Sequence, residues 1–392
     1  MVDWNKIASD ASEAAVAAGR PGQATIIDFA KVQAAVHDAV QAIDRRYKPY
    51  HVKIRHASGS PAAAAAKAAH DMLVSLYPAQ TAALDLKYHA YLLDKGLDEE
   101  DPGVRVGQEA AAGIIALRAN DGVLPVPPLP PFLGGTGPGE WRPTPSYLPG
   151  PPPAFAPMGV PWLATVTPFT LKRPSQLRAG PHPALTSDRY TRDYDEVKAF
   201  GRFDSTERSP EQTDIGQFYA GNTPVMWNSA LRDAATRYLH RISDTARLFA
   251  LADVAAADAV ITAWDSKRHY NFWRPVTAIQ NGDDDTNDET IGDPDWKPLV
   301  NTPNYPDYTS GANSQSGSVT RALQLFFGRD RLTFSGTTTN PLAVQKTRTY
   351  HRFSDAAADV VNARIYVGFH FRFADTAARN QGRAAAEWAF EH

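Results

Sequence analysis

Three short stretches decide the reading of this chain: Lys267-Arg268-His269-Tyr270-Asn271-Phe272-Trp273-Arg274-Pro275, Pro306-Asp307-Tyr308-Thr309-Ser310-Gly311-Ala312-Asn313 and Ala363-Arg364-Ile365-Tyr366-Val367-Gly368-Phe369-His370. They bring together Lys267, Arg274, Arg364, a Ser310-Gly311 turn and His370. That set suits a pocket for a tetrahedral, multiply charged oxyanion. Arg offers a fixed fork of donors and Lys a compact charge. A Ser-Gly turn offers a hydroxyl and backbone N–H groups, and a His nitrogen can attack phosphorus or ligate a metal.

Spacing adds detail. Lys267 and Arg274 are seven residues apart, so one helix would return both to nearly the same face, about 10 Å apart along its axis. Pro275 would bend the chain there. Ser310-Gly311 precedes a helical run from about Ser314 to Phe327, and a turn opening a helix is a natural anion site. Arg364 and His370 are six apart and would not share a helix face. They would meet one ligand from two sides, or the helix would bend near Gly368.

In order and spacing the three stretches resemble the signature of the superfamily of vanadium-dependent haloperoxidases and type 2 phosphatidic acid phosphatases. That signature is Lys, six residues, Arg-Pro; then Pro-Ser-Gly-His; then Ser-Arg, five residues, His. Lys267 and Arg274-Pro275 match the first part, Ser310-Gly311 the core of the second, and Arg364 and His370 the third. Thr309 and Ala363 are departures, and Ala312 stands where the family has His. The resemblance runs from about Trp4 to Trp388 and is strongest to the soluble bacterial haloperoxidase-like branch.

The resemblance implies a mainly α fold, a helical bundle of the vanadium haloperoxidase and acid phosphatase type. It implies vanadate, or phosphate, in the pocket. His370 would be the vanadium ligand or the phosphatase nucleophile. Lys267, Arg274, Ser310, Gly311 and Arg364 would hold the oxygens, with His370, Lys267 and Arg364 carrying the catalysis. Bound vanadate would accept hydrogen peroxide, and halide would be oxidised to hypohalous acid. Ala312 lacks the acid–base ring of the relatives, and such help is typically worth ~10²–10⁴-fold. An altered or slower enzyme is therefore expected, favouring iodide or bromide. Two alternatives stay open: a phosphohydrolase acting on a phosphate ester through His370, and a protein that binds phosphate or a similar oxyanion without turnover. His269 and His351 read as surface or packing residues rather than substitutes for the missing ring. Asp375 is the nearest acid after His370, at a spacing offset from the family's.

Composition sets bounds. The 392 residues can bury a large core. A net charge of -3 speaks against a nucleic-acid binder. The absence of cysteine removes disulfides, thiolate metal sites and a Cys nucleophile. No apolar run approaches a membrane span, so the chain reads as soluble. No signal peptide opens it, while the resemblance implies a secreted or periplasmic protein. A homodimer is one option the resemblance leaves open.

Along the chain, residues 1–122 form an N-terminal helical part. Ile26, Phe29, Val32, Val36, Val40 and Ile43 recur at helical spacing in a segment from about Ala24 to Tyr47. Ser60-Pro61 reads as a cap and first-turn proline for a helix reaching Leu76. Pro78 and Pro102 open further helices, the latter ending near Gly122 and carrying Gly107 for close packing. Residues 123–185 hold more than half of the 31 prolines. Their Trp141, Tyr147, Phe155, Trp162 and Phe169 make an ordered Pro-rich strap, not a linker, the better reading. The run Pro151-Pro152-Pro153 lies within it. Residues 186–392 form the bundle core that carries the site, and the three parts make one compact unit. Ser209 to Gln212 has the capping-box form, and Leu248 to Ile261 reads as a central core helix. Two strands flanking a Ser-Gly turn are expected near Leu332–Thr338. Ser354 would cap the helix carrying Arg364, and Asp375 would begin the last helix. The acid-dense run Asp283 to Glu289 reads as a solvated turn in preference to a structural Ca²⁺ site.

Overall fold

A computed structural model describes residues 1–145 and 155–392. Tyr147 and Pro151-Pro152-Pro153 lie outside the described residues. The fold is mainly α. Helix α1 spans Val2–Ala17, α2 Ala24–Asp44, α3 Pro61–Leu76, α4 Thr81–Lys95 and α5 Pro102–Leu117. After the Pro-rich segment come α6 (Asp188–Phe200), α7 (Pro210–Tyr219), α8 (Thr223–Tyr238), α9 (Ile242–Tyr270) and α10 (Pro275–Gln280). The chain closes with α11 (Gly311–Phe327), a hairpin of β1 (Arg331–Thr337) and β2 (Thr347–Arg352), α12 (Phe353–Tyr366) and α13 (Arg372–Glu391).

The centre is α9, a 29-residue helix buried almost throughout from Ser243 to Lys267. It is apolar on several faces because it has several neighbours. α2 lies along one side, and α11 and α13 along the other. α3 and α5 pack in turn on α2. Gly107 permits the α3–α5 crossing, since a Cβ there would sit 2.3 Å from the Ala64 carbonyl oxygen. One apolar cluster runs from Trp4 to Ala386 and includes Trp141, Trp162 and Phe169 of the Pro-rich strap.

A buried carboxylate holds the strap to α9. Asp258 accepts the N–H groups of Phe169 (2.6 Å), Thr170 (2.8 Å) and Leu171 (3.1 Å), and the Thr170 hydroxyl (2.6 Å). α5 ends at Leu117, short of Gly122, and its C-cap Arg118 donates to the carbonyls of Thr167 and Pro168. Further back, the Trp141 N–H donates to the Asn271 carbonyl, and the Trp273 N–H to the Gly139 carbonyl. The strap thereby braces the residues that lead into Arg274.

Several local expectations need correction. Ser335-Gly336 is not a turn; both residues lie inside β1. The hairpin reverses through residues 338–346, where Asp214 accepts the N–H groups of Val344 and Gln345. Gly336 lets β1 lie against the Met226 sulfur. Ser354 does not cap α12, which begins at Phe353; Asp330 accepts both the Ser354 N–H (2.9 Å) and its hydroxyl (2.6 Å). The last helix starts at Arg372, so Asp375 sits within its first turn. By contrast, Ser60 caps α3, and Ser209 with Gln212 forms the complete capping box. In the acid-dense run, Asp285 is buried and accepts from the Thr290 hydroxyl and the Asn287 N–H, while Asp283 accepts from Gly292.

Where α1, α8 and α9 meet, a polar chain crosses the core. Arg232 donates to Asn5 (2.6 Å), Asn5 to Asn228 (2.6 Å), and Asn228 to Asp253 (3.1 Å). Asp253 keeps one oxygen unpaired, and burial pushes its carboxyl up to about 7. The unfolded chain loses this proton near pH 4, whereas the folded chain keeps it to about pH 7. Stability therefore falls as pH rises through that window, by at most about 4 kcal/mol for three units. Asp253→Asn is expected to raise the thermal midpoint at pH 8 and to change it little at pH 4, as read by calorimetry.

Candidate oxyanion site

The three stretches converge at the C-terminal end of α9. Lys267 lies in its last turns, fully buried, and donates to the carbonyls of Pro306 (2.6 Å) and Asp307 (2.9 Å). Burial, and then the neighbouring Arg274, hold its ammonium well below the ordinary lysine range. Lys267 and Arg274 do not share one helix. α9 ends at Tyr270, Asn271 turns left-handed (φ 48°), and Arg274 is the extended residue that precedes Pro275 at the start of α10. The local reason is the proline, which begins a new helix rather than bending the old one.

Arg274 is also fully buried. Its Nε donates to the Tyr305 carbonyl (2.7 Å) and its Nη1 to the Phe369 carbonyl (2.8 Å), while Nη2 has no partner. Arg364, near the end of α12, donates through Nη1 to the Tyr219 carbonyl (2.8 Å), and its Nε has no partner. Past it, α12 stops at Tyr366, and Gly368 takes φ +76°, turning the chain so that His370 enters from the following loop. A side chain on Gly368 would meet the Gly201 carbonyl at 2.7 Å.

His370 and Asp307 form the central pair. Nδ1 of His370 lies 2.6 Å from Asp307 Oδ1, and both residues are buried. Burial, then Arg274, Lys267 and Arg364, hold the imidazole well below its ordinary range, so the ring is neutral. Burial also pushes the Asp307 carboxyl up, opposed by Arg274 and Lys267. With two cations that close we assign Asp307 as the carboxylate and place the proton on Nδ1. Nε2 is then the unprotonated nitrogen and accepts from Arg274 Nη1 (3.2 Å). A carboxylate behind a ring nitrogen is the usual way a ligating His is oriented.

Ser310 caps α11 and accepts from Asn313. Its hydroxyl also bonds the Asp375 carboxyl, as does Asn313 Nδ2 (2.7 Å). Asp375 is buried, and burial lifts it to about 7. It therefore faces the start of α11; the carboxylate behind His370 is Asp307. Gly311 is dictated by contact, because a Cβ there would lie 2.6 Å from the Trp264 ring. The N–H groups of Gly311 and Ala312 precede the first intrahelical bond, from Ser314 to Ser310, and are open to an anion. Ala312 itself is partly buried.

The predicted residues Lys267, Arg274, Arg364 and His370 are thus brought together, with the Ser310-Gly311 turn beside Asp375. His269 and His351 are engaged elsewhere, with Arg178 and Thr333 respectively (3.0 Å each). Sequence reasoning gave no role to Asp307 or Tyr305. Asp307 stood within the quoted segment, but nothing local shows that it faces a histidine 63 residues later.

Two outcomes follow. Gly311→Ala should cost about 1–3 kcal/mol of stability by overpacking against Trp264, measured by denaturant unfolding. Asp307→Asn replaces a pure acceptor by a group that also donates, so ¹⁵N NMR of the His370 ring should change from one Nδ1–H tautomer to a mixture.

Comparison with known proteins bears on the same region. Residues 247–392 match the model of the VCPO second helical-bundle domain. A vanadium chloroperoxidase of Curvularia inaequalis is 34% identical over 149 residues, covering 31% of this chain and 24% of that protein. The chain thus spans about a quarter of that curated relative's length. A solved bacterial vanadium-dependent iodoperoxidase superposes with a TM-score of 0.84 at 24% identity, over 100% of this chain and 96% of that one. The apo and holo forms of a bacterial vanadium-dependent chloroperoxidase give 0.74 and 0.72 at 18% identity, each over 94% of this chain and over 92% and 91% of theirs. Residues 247–392 therefore carry a VCPO second helical-bundle domain, and the chain as a whole shares the fold of the solved bacterial vanadium-dependent haloperoxidases.

Proposed function

We propose that this protein is a vanadate-dependent haloperoxidase that oxidises iodide or bromide with hydrogen peroxide. The observation that carries the reading is the surplus of buried positive charge around one unprotonated imidazole nitrogen. Lys267, Arg274 and Arg364 face Asp307 and a carboxyl, Asp375, that is only partly ionised near neutrality. Arg274 Nη2 and Arg364 Nε are buried donors without partners. Uncompensated charges and donors of this kind are costly in a core, and a multiply charged tetrahedral oxyanion satisfies both.

These residues fit vanadate. His370 Nε2 would ligate the vanadium. Lys267, Arg274, Arg364, Ser310 and the N–H groups at the start of α11 would hold its oxygens. When bound, vanadate supplies the activation of hydrogen peroxide towards halide. The chain supplies the rest. Asp307 fixes the His370 tautomer, the cations hold negative charge in a water-poor setting, and Trp264 and Phe369 wall the pocket. Ala312 puts no titratable ring beside it, which supports the more easily oxidised halides.

The test is iodide oxidation by purified protein with hydrogen peroxide as orthovanadate is titrated in. A saturable, vanadate-dependent rate that falls by at least ~10²-fold in His370→Ala is expected. No rate above free vanadate, together with His370-dependent hydrolysis of an aromatic phosphate, would overturn the proposal in favour of a phosphohydrolase.

A further inference from the structure

The site's donors are almost all charged or committed. Lys267 gives two N–H bonds to carbonyls. Arg274 and Arg364 each have one free nitrogen. Ser310 is tied to Asn313 and Asp375. Residue 312, at the mouth of the turn, offers a methyl group. A bound oxyanion would therefore meet cations and backbone N–H groups, and one further neutral hydroxyl.

That hydroxyl belongs to Tyr305. Its ring lies over both inner cations, with Lys267 Nζ 5.0 Å and Arg274 Cζ 4.8 Å from the centroid. It packs at 4.9 Å on Trp264, the same indole that Gly311 abuts. The Tyr305 backbone is fixed as well, since its carbonyl accepts Arg274 Nε and its N–H donates to Pro303. Unlike the cations beneath it, Tyr305 is only partly buried, so its ring forms the outer wall of the cluster. Burial lowers the basicity of the Arg274 and Arg364 guanidiniums, and Tyr305 is among the groups that partly offset this at both.

Building on the oxyanion reading above, we propose that the Tyr305 hydroxyl is the neutral hydrogen-bonding group to the bound oxyanion, on the outer side of the pocket where residue 312 contributes only a methyl. A guanidinium donates but never accepts. A phenol does both, so Tyr305 can bond an anion oxygen in either protonation state and can orient a small neutral reactant beside it. Tyr305 is thereby assigned to substrate positioning, with its ring shielding the cations and its hydroxyl contacting the ligand.

The two functions separate by substitution. Tyr305→Phe keeps the ring and its cation–π contacts and removes only the hydroxyl. Orthovanadate affinity, followed by ⁵¹V NMR, and inorganic phosphate affinity, followed by calorimetry, are read on the wild type and on Tyr305→Phe, Ala312→His and the double variant. Tyr305→Phe is expected to weaken both anions on the order of tenfold with an unchanged thermal midpoint. Ala312→His added to it should restore most of the loss, because a ring nitrogen at 312 would supply the missing neutral group. A Tyr305→Phe protein that binds both anions within twofold of a binding-competent wild type overturns this inference and leaves the oxyanion site standing. A wild type that binds neither anion overturns the site reading and Tyr305's role with it.

Discussion

The constraint behind this structure is the burial of three cationic side chains at one end of a helical core. A buried charge without compensation costs several kcal/mol, and here Lys267 and Arg274 are fully buried and Arg364 nearly so. The compensation is organised in layers. Backbone carbonyls of Pro306, Asp307, Tyr305, Phe369 and Tyr219 take the N–H groups pointing away from the pocket. Asp307 supplies counter-charge and holds His370 at the same time. The aromatic faces of Trp264, Tyr305 and Phe369 cover the cations. Arg274 Nη2 and Arg364 Nε are the donors left over.

The elements around the site follow from these needs. A fully buried lysine needs its helix face covered, and α9 is buried at Lys267 and along most of its length. An arginine that reaches two carbonyls must leave that helix, which Asn271 and Pro275 arrange. A histidine presented to the same point must come from a loop, which Gly368 makes by ending α12. The strap contributes too. Its pairing with residues 271–273 fixes the segment from which Arg274 projects.

Much of this was legible in the sequence. Helix positions followed from periodicity, from prolines at first turns and from Ser caps, because those signals act within a few residues. That Lys267, Arg274, Arg364 and His370 would come together was legible because they are spaced in three recognisable groups. What was not legible is tertiary. Seven-residue spacing placed Lys267 and Arg274 on one helix, but the left-handed turn at Asn271 intervened. Asp307, to which the sequence assigned nothing, is the carboxylate behind His370, while Asp375, the nearest acid after it, faces the start of α11, because proximity along the chain says nothing about which carboxylate tertiary packing brings near. The Ser335-Gly336 pair looked like a turn and is strand, since glycine there answers to Met226 rather than to backbone reversal.

The family match begins at residue 247, five residues inside α9. The portion of sequence that carries recognisable ancestry therefore begins within the first turns of the helix on which everything rests. Its other faces are covered by α2 and by a strap anchored on Asp258, both encoded before that point. The stretch that inheritance has kept recognisable and the stretch that can bury its own surface are different lengths of chain. In this protein the buried cations and His370 lie in the last third, and α2 and the strap that complete the packing of α9 in the first two.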